Sequence, residues 1–343
     1  MKLLTITLAI VGAVLLTTSL YKISQSTTSV TDSSIPQAVK DSFDQWRMSN
    51  GKAYGAQSDY QYRLSVYSQN YSKVNAKNSQ NKSYRLALNK FADMSTEEFR
   101  AQYLGLQGES TRTKNVADLS HVQVSSEVDW TNEGAVTPVK DQGQCGSCWA
   151  FSTTGSLEGL AYIQSNWLWY FSEQQLVDCA SSYGNAGCSG GLMDHAFLYT
   201  AAKGNNLEAE YAYTAQDGTC KADVEMKARV INKGHRDVAI NDNAALKAAI
   251  SMQPVSVGIE ADDFQFYHSG VFSDWDQCGD QLNHGVLAVG YGTDSASGKM
   301  FWKIKNSWGG SWGESGFFRL ERRDAGEGIC GITKNASYPT SSA

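Results

Sequence analysis

The N-terminus of this 343-residue chain lacks the length of a membrane span. After Met1-Lys2 an apolar run extends from Leu3 to Leu16, broken by Thr5, Thr7 and Gly12, whereas a bilayer-spanning helix needs about 20 apolar residues. A clean A-x-A cleavage site is also missing. The single charge, the short apolar core and the small polar residues Thr17, Thr18 and Ser19 behind it still read as a secretory signal peptide over residues 1–20. Such a segment sends the chain to an oxidising compartment, where cysteines pair. The body lacks a basic excess. Residues 22–123 carry 13 Lys and Arg against 9 Asp and Glu, a net of +4, while residues 124–343 carry 15 against 26, a net of −11. An acidic body argues against nucleic-acid binding, which needs a basic face. A basic front on an acidic body suggests two pieces that attract each other. A second C-x-x-C and a spaced histidine pair are missing too, which argues against a zinc site.

What the chain does have is an odd number of cysteines, seven. At least one thiol therefore stays outside any intramolecular disulfide. The run Gln142–Phe151, QGQCGSCWAF, points to Cys148, which follows a Gly-Ser turn and opens an apolar helical stretch. Backbone N–H groups at a helix start favour a thiolate. A cysteine nucleophile also needs a base, a group that orients the base, and donors for the oxyanion. The body offers His195 in DHAF, His235 in KGHRD, His268 before Gly270 and His284 at the head of HGVLAVGYG. Chemistry alone does not choose among them. Taken singly, Gln142, Asn306 and Trp308 read as a loop residue, a turn former and a core indole. Cys145-x-x-Cys148 also fits a thiol–disulfide oxidoreductase, although no thioredoxin-like βαβ pattern surrounds it.

Two helical patterns precede residue 85. Val39, Phe43 and Trp46 follow a four-then-three spacing between start signals at Ser34 and Pro36 and a stop at Asn50-Gly51. Tyr60, Leu64, Tyr67, Tyr71 and Val74 repeat at alternating four and three, and Asp59 lies one turn from Arg63 as a pairing partner. The second pattern carries more than periodicity. Asp59, Arg63, Tyr67, Asn70, Val74 and Asn78 resemble the ERFNIN signature of cathepsin L-like cysteine protease propeptides, with Asp for Glu, Tyr for Phe and Val for Ile. Ala87, Asn89, Phe91 and Asp93 resemble the second motif of those propeptides. In the body, C-G-S-C-W around Cys148 resembles the papain-family nucleophile signature. Asn283-His284-Gly285-Val286 and Asn306-Ser307-Trp308-Gly309 resemble the family's histidine and asparagine motifs. The likeness runs on to the terminal ASYPT.

The resemblance implies an α+β, papain-like fold of two halves meeting at a cleft. A helical half, roughly Gly134 to Lys233, would carry Cys148 on its long central helix. An antiparallel β-barrel-like half would carry His284 and Asn306. Residues 21–123 would form a helical inhibitory propeptide and residues 124–343 the mature peptidase. The stretch from Glu97 to Gln123, polar and with a Ser/Thr-rich patch at 110–113, would cross the cleft against the substrate direction as an extended, cleavable linker.

By the same resemblance the chain is a cysteine endopeptidase made as a secretory zymogen. Cys148 attacks the scissile carbonyl, His284 protonates the leaving amine, Asn306 fixes the imidazole under the Trp308 indole, and Gln142 donates to the oxyanion. Gly190, Gly191, Leu192, Met193, Gly258, Leu282, Asn283, Gly285 and Asn335 line the substrate side of the cleft, favouring a bulky apolar residue two before the scissile bond. The implied disulfides are Cys145–Cys188, Cys179–Cys220 and Cys278–Cys330. No metal or cofactor is implied. Implied partners are protein and peptide substrates, the chain's own propeptide and cystatin-like protein inhibitors, with no nucleic acid and, once the signal peptide is gone, no membrane. A monomer in a lysosome, vacuole or the extracellular space is expected, maturing at acidic pH as carboxylates protonate and the +4/−11 attraction weakens. No paired-histidine insertion lies between Cys188 and Cys220, which favours an endopeptidase over an exopeptidase. Asn70, Asn81 and Asn335 begin glycosylation sequons, and Asn335 is expected to be unmodified. The cluster Trp167, Trp169, Tyr170 and Phe171 reads as a packed turn.

Overall fold

Apolar residues three and four apart set the first two elements. In the computed structural model, α1 (Gln37–Ser49) buries Val39, Phe43 and Trp46, and α2 (Gln57–Asn78) buries Leu64, Val66, Tyr67, Asn70 and Val74. Phe43 lies at their crossing, with ring centroids 5.2 to 6.0 Å from Trp46, Tyr54, Tyr60 and Tyr67. The structure describes residues 35–108 and 115–341, apart from 226, 227, 230, 277, 324, 325 and 327. The signal peptide expected over 1–20 and the Ser/Thr patch at 110–113 lie outside the described residues.

Three polar motif residues of α2, Arg63, Asn70 and Asn78, face structure, whereas Asp59 is exposed. Asn70 donates to the carbonyls of Ala92 and Met94, both at 2.9 Å. Asn78 exchanges two hydrogen bonds with Leu86, 2.8 and 2.9 Å, and so holds β1 (Tyr84–Leu86). Arg63 does not turn to Asp59; it reaches the Asp93 carbonyl and the Glu98 carboxylate, each at 2.8 Å. A carbonyl and a carboxylate presented by a packed loop outcompete an exposed pair one turn away.

The stretch from Glu97 to Gln123 is not extended throughout. Ser95 and Glu98 form a capping box, and α3 (Thr96–Tyr103) follows from it, burying Phe99 and Tyr103. Extended backbone begins only at Leu104.

The body starts with β2 (Val128–Asp129) and then the helical half: α4 (Cys148–Ser165), α5 (Glu173–Cys179), α6 (Met193–Lys203) and the single turn α7 (Ala222–Glu225). After β3 (Gly234–Asp237) and α8 (Asn243–Met252) come β4 (Val255–Ile259), β5 (Tyr267–Phe272), β6 (His284–Thr293), β7 (Met300–Lys305), β8 (Phe317–Glu321) and β9 (Ala336–Thr340). The nine-stranded sheet runs β1-β5-β8-β7-β6-β4-β9-β3, with β2 paired to β6. Its pairs are antiparallel except β5 with β8, which is parallel. The front segment thus adds β1 to the edge of the body's sheet.

Serines stitch α4 to that sheet. Ser152 and Ser156 donate to the carbonyls of Val286 and Pro254, each at 2.7 Å, and Ser256 donates back to the Ser152 carbonyl at 2.9 Å. These bonds satisfy polar groups that burial would otherwise penalise, and they fix the helix start against β6. Of the aromatic cluster read as a packed turn, Phe171 is fully buried, but Trp167 is 65% and Tyr170 46% exposed. Asn166 ends α4 in the left-handed region, φ 56°, and the chain turns outward there.

Candidate active site

Cys148 is the first residue of α4 and the free cysteine among the described residues. Its neighbour Cys145 is joined to Cys188, and Gly146 N–H donates to the Cys188 carbonyl at 2.9 Å. The bridge holds the turn that aims the helix start. Cys179 is joined to Cys220 and Cys278 to Cys330. With Cys145 so paired, the Cys145–Cys148 bond of an oxidoreductase is not formed.

His284 opens β6 directly across from that helix start. Its Nε2 lies 2.8 Å from Asn306 Oδ1, and the same oxygen accepts from Ser307 N–H at 2.8 Å. The ring stacks on Trp308, centroids 4.6 Å apart at 25°. The Gly285 N–H, one residue on, donates to Cys148 Sγ at 3.3 Å, and the N–H groups of Gly105, Trp149 and Cys148 itself also face the sulfur. His195 is half-buried on α6 and His268 exposed on β5, while His235 is buried on β3 beside Asp237. Of the four body histidines, the structure brings His284 to Cys148.

Burial dominates the electrostatics. It pushes the Cys148 thiol up to about 11, against the four N–H groups, and the His284 imidazole down to about 4, against its bond to Asn306. The thiolate expected from the helix start is therefore not favoured here. The reason is the front segment: both side chains are fully covered, and a covered charge loses its hydration.

Residues 103–107 provide the cover. Gln142 donates through Nε2 to the Tyr103 carbonyl at 3.0 Å and to the Cys145 carbonyl at 2.8 Å, while its Oε1 accepts from Ser307 Oγ at 2.7 Å. Gly191 N–H donates to the Gly105 carbonyl at 3.0 Å, Gln107 N–H to the Gly191 carbonyl at 3.2 Å, and Leu106 N–H to the Asn283 carbonyl at 3.0 Å. Leu106 and Gly191 form a parallel bridge. The Leu106 side chain enters a pocket with Leu192, Met193 and Leu282. A Cβ on Gly258 would fall 2.7 Å from Leu106 Cδ2, 3.1 Å from Asn335 Cβ and 3.3 Å from Leu282 Cδ1, so these residues surround the Leu106 tip. Gly190 and Gly285 flank this run, Gly190 near Gln107 and Gly285 near Met193. Trp308 stands apart from the pocket, packed edge-on against Phe91 and Phe99 of the front segment at 5.9 and 5.0 Å. Asn335 is buried at the pocket and Asn70 in α2, whereas Asn81 is exposed.

The sequence reading missed Tyr103, Leu106 and a second anchor. Asp274 is buried and accepts from Lys77 Nζ at 2.7 Å, Lys82 Nζ at 2.8 Å and Tyr84 OH at 2.8 Å. The short apolar run Tyr103-Leu104-Gly105-Leu106, ahead of the polar residues that follow, was the one local signal.

Residues 124–340 match the family model described as papain family cysteine protease, and residues 43–99 match the cathepsin propeptide inhibitor domain. The chain belongs to the papain family. Among similar relatives, the cysteine protease XCP2 of Arabidopsis thaliana is 44% identical over 87% of this chain and 85% of its own. The protease vignain of Ricinus communis is 45% identical over 87% and 84%. Among solved structures, a recombinant stem bromelain precursor superposes with a TM-score of 0.81 at 37% identity, covering 89% of this chain and all of that one. Digestive procathepsin L 3 of Tenebrio molitor gives 0.80 at 40% identity, covering 88% and 99%. This papain-family chain is accordingly a peptide-bond hydrolase with an inhibitory propeptide domain, captured with that domain in place. Among the described residues, no helix is long and apolar enough to cross a membrane.

Proposed function

We propose that the chain is a zymogen in which Cys148, His284 and Asn306 carry out peptide hydrolysis. The observation that carries this is the buried free thiol at the start of α4, beside an imidazole whose far nitrogen is held 2.8 Å from a neutral amide. In the mature enzyme the Cys148 proton passes to His284. The thiolate then attacks the scissile carbonyl carbon, and the imidazolium returns the proton to the leaving amine. A water activated by His284 releases the acyl group and restores the thiol. Asn306 keeps the ring in place, and a neutral amide does so at acidic pH without titrating. Trp308 shields that bond from water.

The Tyr103 carbonyl accepting from Gln142 Nε2 marks the place of the substrate oxyanion, which in the mature enzyme would accept from Gln142 and from the Cys148 N–H. Residues 104–107 are a built-in ligand of the cleft, running against the substrate direction. Leu106 supports a leucine-type preference two before the scissile bond, with Asn335 at the pocket's edge. Residues 1–20 are the signal peptide, 21–123 the propeptide and 124–343 the mature enzyme, which acts as a monomer in an acidic secretory compartment and is open to cystatin-like protein inhibitors.

Peptide-library cleavage by acid-activated enzyme tests this reading, with the Cys148→Ala precursor as control. Leucine and other bulky apolar residues are expected to dominate that position, and the control is expected to lose on the order of 10⁴–10⁶ of the rate. A preference for charged residues there, or an active control, contradicts it.

A further inference from the structure

Behind the cleft, between α4 and the strands β6 and β7, lies a small cavity of about 20 Å³ whose lining includes Lys140, Thr154, Glu158, Glu173, Lys305 and Asn306. Most of its polar atoms are paired. Lys140 Nζ donates to Glu173 Oε1 at 2.6 Å, to the Phe171 carbonyl at 3.0 Å and to Glu158 Oε1 at 3.3 Å. Thr154 Oγ1 lies 2.6 Å from the same Glu173 oxygen. Thr137 donates to Glu158 Oε2 at 2.6 Å and accepts from Lys305 Nζ at 2.9 Å. Two atoms are left over. Glu173 Oε2 and Asn306 Nδ2 are buried without a hydrogen-bond partner, on residues 1% and 4% exposed. One accepts and the other donates.

A polar cavity above about 10–15 Å³ holds a water when two or more polar partners face it. We propose that one internal water joins Asn306 Nδ2 to Glu173 Oε2, which makes Glu173 a positioning residue for the Asn306–His284 pair. This rests on the reading of Cys148, His284 and Asn306 as the reacting group. The water accepts from the Asn306 amide and donates to the carboxylate, and so keeps Asn306 Oδ1 turned toward His284. The negative charge behind the amide also favours the imidazolium. Lys140 from the preceding loop, Glu158 on α4, Lys305 at the end of β7 and the Tyr213 hydroxyl are the charged and titratable groups facing Glu173. Burial raises the Glu173 carboxyl against the pull of Lys140. A protonated Glu173 still bonds the water, so the link persists while the charge is lost.

Two variants of the mature enzyme separate link from charge. Glu173→Gln keeps a polar partner for the water, and its kcat at acidic pH is expected to stay within about threefold of wild type. The alkaline limb of its kcat/KM profile is expected to move down by about half a pH unit or more, because the imidazolium loses its distant anion. Glu173→Leu removes the link, and kcat is expected to fall about tenfold with KM little changed. A high-resolution crystal structure of the wild-type enzyme is expected to show one water within hydrogen-bond distance of both atoms. A dry cavity, a water touching only one of the two atoms, or an unmoved alkaline limb in Glu173→Gln overturns the proposal. If Glu173→Leu fails to fold, the crystal structure and Glu173→Gln still decide. An inactive wild type beside an equally inactive Cys148→Ala would instead count against the reacting group itself.

Discussion

A precursor carrying Gly105→Val is expected to hydrolyse small peptides before any processing. A Cβ at Gly105 would lie 1.9 Å from the Gly146 carbonyl oxygen and 2.6 Å from Gly146 Cα. Neither atom can yield, because Gly146 is tied to Cys188 through its own N–H and through the neighbouring disulfide. The propeptide must therefore lift, which loses the Gly105–Gly191 bond and loosens the Tyr103 carbonyl on Gln142. Overpacking costs about 1–3 kcal/mol and each hydrogen bond about 1 kcal/mol. Together they weaken cleft occupancy by roughly 30- to 1,000-fold. Activity measured on freshly purified precursor at neutral pH checks this. A variant as silent as wild type would mean that latency does not depend on close passage over the nucleophile turn.

The second large effect is expected away from the cleft. Asp274→Asn should loosen the propeptide while leaving the mature enzyme's peptidase activity as it was. The carboxylate gathers Lys77, Lys82 and Tyr84, all from the front segment, at 2.7 to 2.8 Å. Breaking a buried ion pair costs about 3–5 kcal/mol; the partial exposure of both lysines reduces this to about 2–3 kcal/mol. The precursor should melt lower and leak activity about 30- to 100-fold above wild type. An unchanged melting point and leak would remove Asp274 from the account.

Asp274 also narrows the expectation that acid releases the propeptide. Its two lysines and Tyr84 outweigh its burial and hold the carboxyl down to about 2. A carboxylate lowered in the complex adds stability above its free value, and that contribution disappears only as pH falls through about 2. This anchor therefore survives at lysosomal acidity. Asp263, raised by burial despite Lys73 and Lys77, has the opposite sign: the complex gains as pH falls. Cys148 and His284 contribute little. Between about 4 and 11 the covered Cys148 and His284 share one proton on sulfur, and uncovering moves that proton to nitrogen without net uptake.

Local pattern carried much of this in advance. The periodicity of α1 and α2 is the stripe each helix buries, and the short runs around Cys148, His284 and Asn306 mark residues that meet in space. What escaped was set by distance along the chain. Leu106 means nothing until Gly258, Leu282 and Asn335 close around it. Lys140, Glu158, Glu173 and Lys305 look like ordinary surface charges until the two halves meet and bury them. The capping box at Ser95 and Glu98 was legible, yet the polar composition after it suggested an extended linker. The cover over Cys148, which inverts its expected ionisation, depends on docking between segments more than forty residues apart in sequence.

The central claim is that Cys148 is the nucleophile and that residues 103–107 keep it a covered, neutral thiol. Alkylation by iodoacetamide at neutral pH, read by intact mass and peptide mapping before and after propeptide removal, tests it most directly. The account predicts no label on the precursor and one label per chain, on Cys148, in the mature enzyme. A precursor labelled at Cys148 as fast as the mature enzyme, or a mature enzyme labelled elsewhere or not at all, would contradict it.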